Sequence, residues 1–556
     1  MQKEIQQNYV RWTTSDVFDE ATKAELLALA DNENEIFERF RCNLDFGTGG
    51  LRGIMGAGTN RMNRYTVGKA TLGLANRLNR TGSGAVRKTA IAYDTRLHSA
   101  EFASVAADVL SAKGIEVYLF DRPVPTPVLS FAVRYLHCDA GIVLTASHNP
   151  KIYNGYKVYD ETGCQLNIED AEDLISYVNA IEDWGSIPQK GDPRKIHTVG
   201  AKVLDAFVDA VLKQSRISDA KAKADLGIVY TPLHGSGLLP VTAALDADGF
   251  SNVTVVREQA VQDGNFPTVK SPNPEEHAAL NMGLTLAKEI GADIVLGTDP
   301  DSDRVGIGVR CRDGEYRLLT GNQVGAMLVD FVLAHTDLSA CKGRMPTIVK
   351  TVVTGELGAD AARAHGADVV DVLTGFKFIG DRMNRYEAGK ENRAYIMGYE
   401  ESYGYLIGEH ARDKDAVVSV MLICEMAAAC KAQGKTLEDR VEELYAEHGF
   451  YLDTLDSKTY EGAAGMQKIE SLMSDLRENA VSALPEKATL VDFEKGVADL
   501  PRSNVLKFVF EDGSWAAVRP SGTEPKIKFY FSVKAPSRES AQKRLEAIRS
   551  VMERNT

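Results

Sequence analysis

Residues 139–150 read DAGIVLTASHNP, an apolar run that stops at a polar, turn-rich loop. The run at 142–144 predicts a buried strand, because short apolar segments bounded by turn signals are typical of parallel sheets. The loop then places the hydroxyl of Ser147 at the C-terminal end of that strand. In open α/β sheets, ligands and reacting groups lie at such strand ends. We therefore predict an α/β fold and take Ser147 as the candidate carrier of a covalent phosphoryl group.

Two other stretches resemble this strand–loop junction. Residues 292–299 read ADIVLGTD, and residues 393–400 read RAYIMGYE as a weaker third copy. Each is an apolar strand, a small residue and then a polar loop. Three related α/β units, each with one loop at its strand ends, would account for the similarity. Chance is the alternative, since any α/β protein contains such junctions.

The C-terminal part of the chain has a different pattern. Strand-like runs at 506–510, 514–518 and 527–533 lie between helical patterns at 463–478 and 537–552. This order predicts a separate α+β domain. Together with the repeats, it predicts four domains, at 1–216, 217–325, 326–455 and 456–556.

Composition excludes several classes of protein. The chain has 556 residues, 44% hydrophobic and 26% charged, and its net charge of −14 argues against a general nucleic-acid binder. No membrane partner is expected, because the longest apolar run, 416–424, is too short for a span and predicts a buried helix. The N-terminus shows no signal peptide. Seven scattered cysteines without CxxC pairs argue against disulfides or zinc and favour the cytoplasm. The sequence carries no signal for the oligomeric state.

Residues 298–304 read TDPDSDR and suggest a metal site. Alternate residues of an extended loop point the same way, so Asp299, Asp301 and Asp303 can converge on a hard divalent cation. An EF-hand fails here, because its sixth and twelfth positions would be Arg304 and Arg310. A solvated acidic turn is the alternative, but Mg²⁺ beside a phosphate is the better interpretation.

Two loops have the composition of phosphate sites. Residues 46–53 read FGTGGLRG, in which glycines let backbone N–H groups approach an oxyanion and Arg52 adds a planar donor group. Residues 519–525 read RPSGTEP and combine an arginine, two hydroxyls and a glycine. A plain hairpin turn is the alternative for the second loop. A third glycine-containing loop, 231–235, is interpreted as mainly structural.

Two further polar loops follow the third repeat. In GYEESYG, at 398–404, Glu400 and Ser402 alternate and could bind sugar hydroxyls. Paired glycosidase glutamates fit poorly, since adjacent side chains point apart. In RDKD, at 412–415, Lys414 precedes a predicted helix and could shuttle protons, with a plain surface charge as the alternative.

Four of these motifs, TASHNP, DPDSDR, GYEESYG and RPSGTEP, occur in the order found in the α-D-phosphohexomutase family, and the chain resembles its phosphoglucomutase and phosphomannomutase members. The resemblance implies three related α/β domains with mixed sheets and a smaller C-terminal α+β domain around a central cleft. It implies a phosphoserine at Ser147, and Mg²⁺ held by that group and by Asp299, Asp301 and Asp303.

The resemblance also implies roles for other residues. Arg52 and His148 are expected beside the phosphoserine with catalytic roles. Lys414 matches a proposed general acid/base in a run that reads Arg-Glu-Lys-Asp in the family, so Asp413 is a departure. The implied substrate-binding residues are Arg304, Thr374, Lys377, Glu400, Ser402, Arg519, Ser521, Gly522 and Thr523.

The implied activity is interconversion of glucose 1-phosphate and glucose 6-phosphate. Glucose 1,6-bisphosphate would be the intermediate and the primer, and sugar phosphates the small-molecule partners. The Glu-Glu-Ser pattern resembles glucose-preferring members, and mannose and pentose phosphates are the alternatives. The rival classes are a metal-dependent phosphatase, a haloacid-dehalogenase-like enzyme built on Asp299 and Asp301, and a non-catalytic sugar-phosphate sensor. A second phosphate site at Arg519 favours the mutase.

Overall fold

The computed structural model describes residues 2–44, 46–47, 50–80, 86–460, 462–521 and 525–554. The described chain forms four β-sheets, each with its own helices, which confirms the predicted class. It divides into two compact units. One consists of Met1–Gly308 and Leu406–Cys424, and the other of Val309–Tyr405 and Glu425–Thr556.

The first domain has a seven-stranded mixed sheet. Its elements are α1 (Gln2–Thr14), α2 (Glu20–Leu27), α3 (Glu33–Phe40), β1 (Phe46–Gly47), β2 (Gly50–Ile54), α4 (Arg64–Arg80), β3 (Lys88–Tyr93), α5 (Ser99–Ala112), β4 (Glu116–Phe120), α6 (Thr126–Tyr135), β5 (Ala140–Leu144), β6 (Tyr153–Asp160), α7 (Ile168–Asn179), β7 (Ile196–Val199) and α8 (Ala201–Leu212). The strand order is β1-β2-β6-β5-β3-β4-β7. Strand β3 is parallel to β4 and β5, whereas β6 is antiparallel to β2 and β5.

Burial explains the position of β5 in this sheet. All five of its residues are buried, as expected for an inner strand with both faces covered. Helix α5 packs on the sheet through Phe102, Ala106 and Leu110, which recur at helical spacing. The strand predicted at 142–144 is therefore confirmed.

The N-terminal helices have an aromatic core of their own. Trp12 is fully buried and stacks on Phe18 with ring centroids 4.2 Å apart. Tyr65 and Trp184 meet the same indole edge-on at 5.5 and 5.2 Å. This cluster joins helices α1 to α3 to the rest of the first domain.

The second sheet has five strands. Its elements are α9 (Ala220–Asp225), β8 (Ile228–Thr231), α10 (Leu238–Ala247), β9 (Val253–Val255), α11 (Arg257–Ala260), α12 (His277–Ile290), β10 (Ile294–Thr298), β11 (Val305–Arg310) and β12 (Tyr316–Leu319). The order is β12-β11-β10-β8-β9, and β8 is parallel to both β9 and β10.

The third sheet has four strands. Its elements are α13 (Gly321–Ala334), β13 (Met345–Thr351), α14 (Leu357–Ala364), β14 (Asp368–Val372), α15 (Phe376–Glu387), β15 (Arg393–Glu400), β16 (Gly404–Ile407), α16 (Ala416–Ala432) and α17 (Leu437–His448). The order is β14-β13-β15-β16, with β13 parallel to its two neighbours.

The fourth sheet is antiparallel. Its elements are β17 (Phe450–Thr459), α18 (Gly462–Ala483), β18 (Ala488–Asp492), β19 (Leu506–Phe510), β20 (Trp515–Pro520), β21 (Lys526–Ala535) and α19 (Arg538–Met552). The order is β17-β21-β20-β19-β18. This sheet with its two helices is the predicted C-terminal α+β domain.

Two of the domain limits proposed from the sequence fall inside regular elements. The limit at 325/326 lies in α13, whose start is fixed by a capping box between Thr320 and Gln323. The limit at 455/456 lies in β17, which pairs with β21 from Phe450 to Thr459. We therefore propose that the third domain begins just before α13 and the fourth just before β17.

The loops after β5, β10 and β15 share a backbone feature. Each contains a non-glycine residue in the left-handed region, namely Ser147 (φ 51°), Ser302 (φ 49°) and Tyr403 (φ 63°). Such residues are uncommon, and their recurrence after the three similar strands supports an internal repeat of three α/β domains.

Helix α16 contains the apolar run predicted to be a buried helix, and residues 416–428 are buried. Among the described residues, no single helix has the length and apolar composition to cross a membrane. Helices α16 and α17 meet those two criteria only as a pair, bent by 86°.

Candidate functional site

Ser147 lies three residues beyond β5, in a loop held by its own neighbours. Its backbone N–H donates to Thr145 Oγ1 at 2.8 Å. Its hydroxyl donates to Asp299 Oδ2 at 2.7 Å and lies 3.2 Å from His148 Nδ1. Ser147 is only 3% exposed. The fold thus brings the predicted serine into contact with the predicted metal loop.

Arg96 anchors the serine loop from the adjacent strand end. Its guanidinium donates to the carbonyl oxygens of Ser147 and Asn149, and to that of Pro150 at 3.1 Å. Asp94 Oδ2 lies 3.4 Å from Arg96 Nε. Arg96 was not among the predicted site residues, although it follows β3 and β3 is the parallel neighbour of β5. That adjacency is the signal that could have identified it.

Asp299, Asp301 and Asp303 form one compact buried cluster. Carboxylate oxygens of the three lie within 4.8 Å of one another. Burial, followed by the charges of Asp301 and Asp303, raises the pKa of Asp299 well above its usual range. Asp301 Oδ1 and Asp303 Oδ1 are buried and have no hydrogen-bond partner among the described residues. Hard oxygen donors, crowded negative charge and unsatisfied buried oxygens all fit a divalent cation such as Mg²⁺.

The backbone of the metal loop is well fixed. Asp299 Oδ1 accepts hydrogen bonds from the backbone N–H groups of Asp303 and Arg304, both at 3.1 Å. Thr126, at the start of α6, donates its hydroxyl to Asp301 Oδ2 at 2.9 Å. These contacts hold the carboxylates in place before any cation binds.

The loop 231–235 braces the metal loop, in agreement with its structural interpretation. His234 is fully buried, and its two ring nitrogens lie 2.8 Å from Val261 O and 2.9 Å from Thr268 Oγ1. The following Ser236 donates its hydroxyl to Pro300 O at 2.8 Å. Both imidazole nitrogens are therefore engaged in structural contacts.

Two lysines contact the carboxylate cluster. Lys414 Nζ lies 3.1 Å from Asp303 Oδ2, and the side chain is buried, which excludes a plain surface charge. Lys157 Nζ lies 3.3 Å from Asp301 Oδ2 and 3.8 Å from Asp303 Oδ2. Lys157 was not among the predicted site residues. The feature that could have identified it is the presence of a lysine within β6, a strand whose residues are largely buried.

The predicted catalytic residues Arg52 and His148 lie near Ser147, and so does Arg304, a predicted substrate-binding residue. The exposed Arg52 donates to Asn149 Oδ1 at 3.4 Å, and Arg304 donates to Glu275 Oε1 at 2.6 Å. Burial, followed by the charges of Arg304 and Arg52, lowers the pKa of His148 well below its usual range. The imidazole is therefore neutral at pH 7 and offers one acceptor and one donor nitrogen.

The second unit contains the predicted sugar-binding residues. Glu400 ends β15, and its Oε1 accepts a hydrogen bond from Gly375 N at 2.9 Å. The neighbouring Glu401 instead accepts from the hydroxyls of Thr351 and Thr354, both at 3.2 Å. Thr374 Oγ1 is buried and has no hydrogen-bond partner among the described residues. The two glutamates thus point to different surroundings, and the loop at Thr374 lies beside the first.

The predicted phosphate loop begins at the end of β20. Arg519 and the half-buried Ser521 are described, whereas Gly522 and Thr523 lie outside the described residues. Burial, followed by the charge of Glu401, raises the pKa of Tyr530, while Arg519 acts in the opposite direction. Arg519, Glu400 and Glu401 are therefore close enough to Tyr530 to affect its pKa, and all of these residues belong to one unit.

Lys377 and Ser402 complete the predicted set in this unit. Lys377 is largely buried, and its Nζ lies 5.3 Å from the ring centroid of Phe378. Ser402 is partly exposed in the turn after β15. Lys377 lies in the first turn of α15, the helix that follows β14, and Ser402 lies in the turn that follows β15.

Comparison with known proteins supports the resemblance over most of the chain. The four domain families of phosphoglucomutase/phosphomannomutase match the chain in order. The α/β/α domains I, II and III match residues 43–183, 205–313 and 320–448, and the C-terminal domain matches residues 480–550. Phosphoglucomutases of Staphylococcus haemolyticus and Staphylococcus epidermidis are 37% and 38% identical to the chain. These alignments cover 90% and 93% of this chain and 93% and 95% of the relatives.

Solved structures share the fold at lower identity. The open form of pp63/parafusin, a phosphoglucomutase from Paramecium, superposes with a TM-score of 0.71 at 17% identity, covering 93% of this chain and 96% of that one. A phosphoglucomutase/phosphomannomutase family protein of Burkholderia thailandensis gives 0.69 at 19% identity, covering 92% and 97%. With four domain matches and relatives aligned over nearly their whole length, the chain belongs to the phosphoglucomutase/phosphomannomutase family.

Proposed function

We propose that the protein is a phosphoglucomutase-type enzyme that interconverts glucose 1-phosphate and glucose 6-phosphate. The observation that carries this proposal is the 2.7 Å hydrogen bond from Ser147 Oγ to Asp299 Oδ2, within the cluster of buried carboxylates. A serine at that place can store a phosphoryl group next to a cation. The relatives named phosphoglucomutase agree with this activity.

Mg²⁺ is the proposed metal, with Asp299, Asp301, Asp303 and an oxygen of phosphorylated Ser147 as ligands. Bound there, it would offset the negative charge of the transferred group and help to orient it. The unsatisfied oxygens of Asp301 and Asp303 support a cation at this position. The raised pKa of Asp299 supports it too, because burial and then the neighbouring carboxylates make its negative charge unfavourable unless a cation offsets it.

In the proposed transfer, the bond between Ser147 Oγ and phosphorus breaks while a sugar hydroxyl oxygen bonds to that phosphorus. The hydroxyl proton reaches Ser147 Oγ by way of Lys414, the proposed general acid/base. Lys157 is a second cation beside the same carboxylates. Arg52 and His148 stabilise the transferred group by charge and hydrogen bonding.

Glucose 1,6-bisphosphate is the proposed intermediate, and it also primes an enzyme whose serine is unphosphorylated. In the second half of the cycle, its other phosphate returns to Ser147. The phosphate that stays on the sugar needs a separate binding site. The proposed substrate-binding residues are Arg304, Thr374, Lys377, Glu400, Ser402, Arg519, Ser521, Gly522 and Thr523. The unsatisfied buried hydroxyl of Thr374 supports a ligand beside Glu400.

Mannose and pentose phosphates are the alternative substrates, and a metal-dependent sugar phosphatase is the alternative activity. A non-catalytic sensor is disfavoured, because the serine, the carboxylates and a buried lysine are all in contact. We also propose a cytoplasmic location, since none of the seven cysteines, all within the described residues, forms a disulfide and six of them are buried.

Turnover of glucose, mannose and ribose 1-phosphates, measured side by side, tests the proposal. We expect isomerisation to be fastest with glucose 1-phosphate, little release of free phosphate, and one phosphoryl adduct at Ser147 in the intact mass. Equal rates on the three sugars would contradict glucose specificity. Stoichiometric phosphate release would indicate a phosphatase, and absence of the adduct would contradict the phosphoserine mechanism.

A further inference from the structure

We infer that Tyr159 is a positioning residue for Lys414 and acts on it through Asp413. The inference rests on the proposed function, in which Lys414 transfers a proton. Tyr159 belongs to strand β6 and to none of the loops with recognisable motifs. Its role follows from three contacts and from the face of the strand that it occupies.

The alternation of β6 places Tyr159 at the site. Side chains at positions i and i+2 of a strand leave the same face of the sheet. Lys157 and Tyr159 share one face, where Lys157 contacts the carboxylate cluster and Tyr159 contacts Asp413. Tyr156 and Val158 share the opposite face and pack in the core of the first domain.

A continuous chain of polar contacts links Tyr159 to the carboxylate cluster. Tyr159 OH donates to Asp413 Oδ2 at 2.6 Å. Lys414 Nζ donates to the other oxygen, Asp413 Oδ1, at 3.1 Å and lies 3.1 Å from Asp303 Oδ2. Tyr159 is fully buried and Asp413 is 3% exposed. Each oxygen of Asp413 has its own donor, so rotation of the carboxylate would disrupt both bonds.

The phenol of Tyr159 keeps its proton at neutral pH and can therefore donate it to Asp413. Burial, followed by the charge of Asp413, raises the pKa of Tyr159 well above its ordinary value. Hydrogen bonds to a charged acceptor are shorter and stronger than neutral ones. The hydroxyl therefore fixes the carboxylate of Asp413, and the carboxylate fixes the ammonium of Lys414.

The short side chain of Asp413 makes this arrangement necessary. Its carboxylate stays close to the backbone, where Oδ1 also accepts the N–H of Lys414 at 2.8 Å. The outer oxygen then requires a partner from another element, and the phenol of Tyr159 supplies it.

Tyr159→Phe tests the inference, because it removes one hydroxyl and retains the ring. We expect kcat to fall about tenfold or more with KM changed less than about twofold, since displacing a catalytic group lowers rate more than affinity. In an Asp413→Asn background, the same substitution should change kcat very little, because residues that act through one contact are not additive.

Tyr156→Phe is the matched control on the opposite face of the same strand. It also removes one buried hydroxyl, which there accepts from Thr71 Oγ1 at 3.1 Å. We expect it to lower the thermal stability about as much as Tyr159→Phe and to leave kcat within about twofold. Equal losses of kcat in the two variants would overturn the inference. The inference would also be overturned if Tyr159→Phe lowered kcat by the same factor in the wild type and in the Asp413→Asn background.

Crystal structures of the wild type and Tyr159→Phe separate this inference from the proposed function. We expect Lys414 Nζ to move about 1 Å or more from Asp303 in the variant. An unmoved lysine would contradict the inference whatever the activity. A wild-type protein that does not interconvert sugar phosphates would contradict the proposed function instead, and the position of Lys414 would still test the contact.

Discussion

Ser147 combines a reactive hydroxyl with a left-handed backbone, at φ 51°. A residue with a Cβ adopts this conformation at a cost of about 1 kcal/mol or more. Hydrogen bonds offset the cost, because Thr145 accepts from the backbone N–H and Arg96 donates to the carbonyl. The loop therefore keeps a side chain at a position where glycine would be more stable.

Two substitutions at Ser147 separate chemistry from backbone strain. We expect Ser147→Gly and Ser147→Ala to lose the phosphoryl adduct and nearly all mutase activity. We expect the glycine variant to be more stable than the alanine variant by about 0.5–1 kcal/mol, because only glycine adopts this conformation without strain. Intact mass, coupled activity assays and chemical unfolding measure these effects. Retained activity in either variant would contradict the phosphoserine, and equal stabilities would contradict the strain.

Glu400 and Glu401 are adjacent, yet their surroundings predict different effects. Glu401 is held by two threonine hydroxyls, whereas Glu400 lies beside the loop that contains Thr374. We expect Glu400→Gln to raise KM for glucose 1-phosphate about tenfold, because a charged hydrogen bond to the sugar is lost. Glu401→Gln should change KM much less and lower the free energy of unfolding by about 1 kcal/mol. A larger rise in KM for Glu401→Gln than for Glu400→Gln, measured by steady-state kinetics, would contradict the assignment of Glu400 to the sugar. A larger loss of stability in Glu400→Gln, measured by urea unfolding, would contradict the structural role of Glu401.

At the scale of strands and helices, apolar pattern and turn chemistry predicted much of the fold. Strands β5, β10 and β15 end where their apolar runs meet polar loops, and β19 has the predicted bounds 506–510. The start of β17 was not predicted, because its apolar run is only three residues long, 450–452, and the residues after it are half-exposed or exposed. Arg96 and Lys157 were not found either. Their roles depend on which strands are neighbours in the sheet, and local sequence does not contain that information.

An ionic cluster with two buried lysines joins the third and fourth sheets. Lys350 on β13 and Lys507 on β19 both lie within 4 Å of Glu356 and of Asp371. Trp515 Nε1 also donates to Glu356 Oε1 at 3.1 Å. Burial, followed by the charge of Lys350, lowers the pKa of Lys507 to about 8. Two buried lysines in one cluster repel each other, and the second ammonium loses its proton more easily.

This cluster predicts a pH dependence of stability. The unfolded chain keeps the Lys507 proton up to its ordinary pKa of 10.5, whereas the folded protein releases it near pH 8. Unfolding therefore takes up a proton in this window, and the contribution of Lys507 to stability rises with pH. Relative to Lys507→Met, the wild type should gain up to about 1.4 kcal/mol per pH unit. Chemical unfolding from pH 7.5 to 10 measures this.

Lys487→Met is the control for that series, because Lys487 is exposed and pairs with Glu511 on the surface. Its stability difference from the wild type should stay constant with pH. Parallel pH curves for the wild type and Lys507→Met would contradict a lowered pKa at Lys507.

At the scale of the whole molecule, the carboxylate cluster and Ser147 belong to one compact unit, and Glu400 and Arg519 belong to the other. A ligand that binds only one unit should stabilise that unit, by about 2.7 kcal/mol at one hundred times its Kd. We expect Mg²⁺ to raise the unfolding temperature of the unit that contains Asp299, Asp301 and Asp303. Scanning calorimetry with and without Mg²⁺ measures the shift.

Asp303→Asn provides the control for this experiment. It removes the negative charge of one proposed ligand, which has an unsatisfied oxygen, so the shift with Mg²⁺ should largely disappear. An undiminished shift in this variant would place the cation elsewhere. A shift only in the transition of the unit with Glu400 would contradict the proposed metal site.

The first unit is interrupted in the chain, since residues 309–405 separate its two segments. During synthesis on the ribosome, Ser147 and the metal-loop aspartates emerge well before Lys414. The contact between the carboxylates and Lys414, one of their two lysine partners, can therefore form only after the intervening residues have been translated. A chain released before residue 414 would carry Ser147 and the three aspartates without the proposed general acid/base.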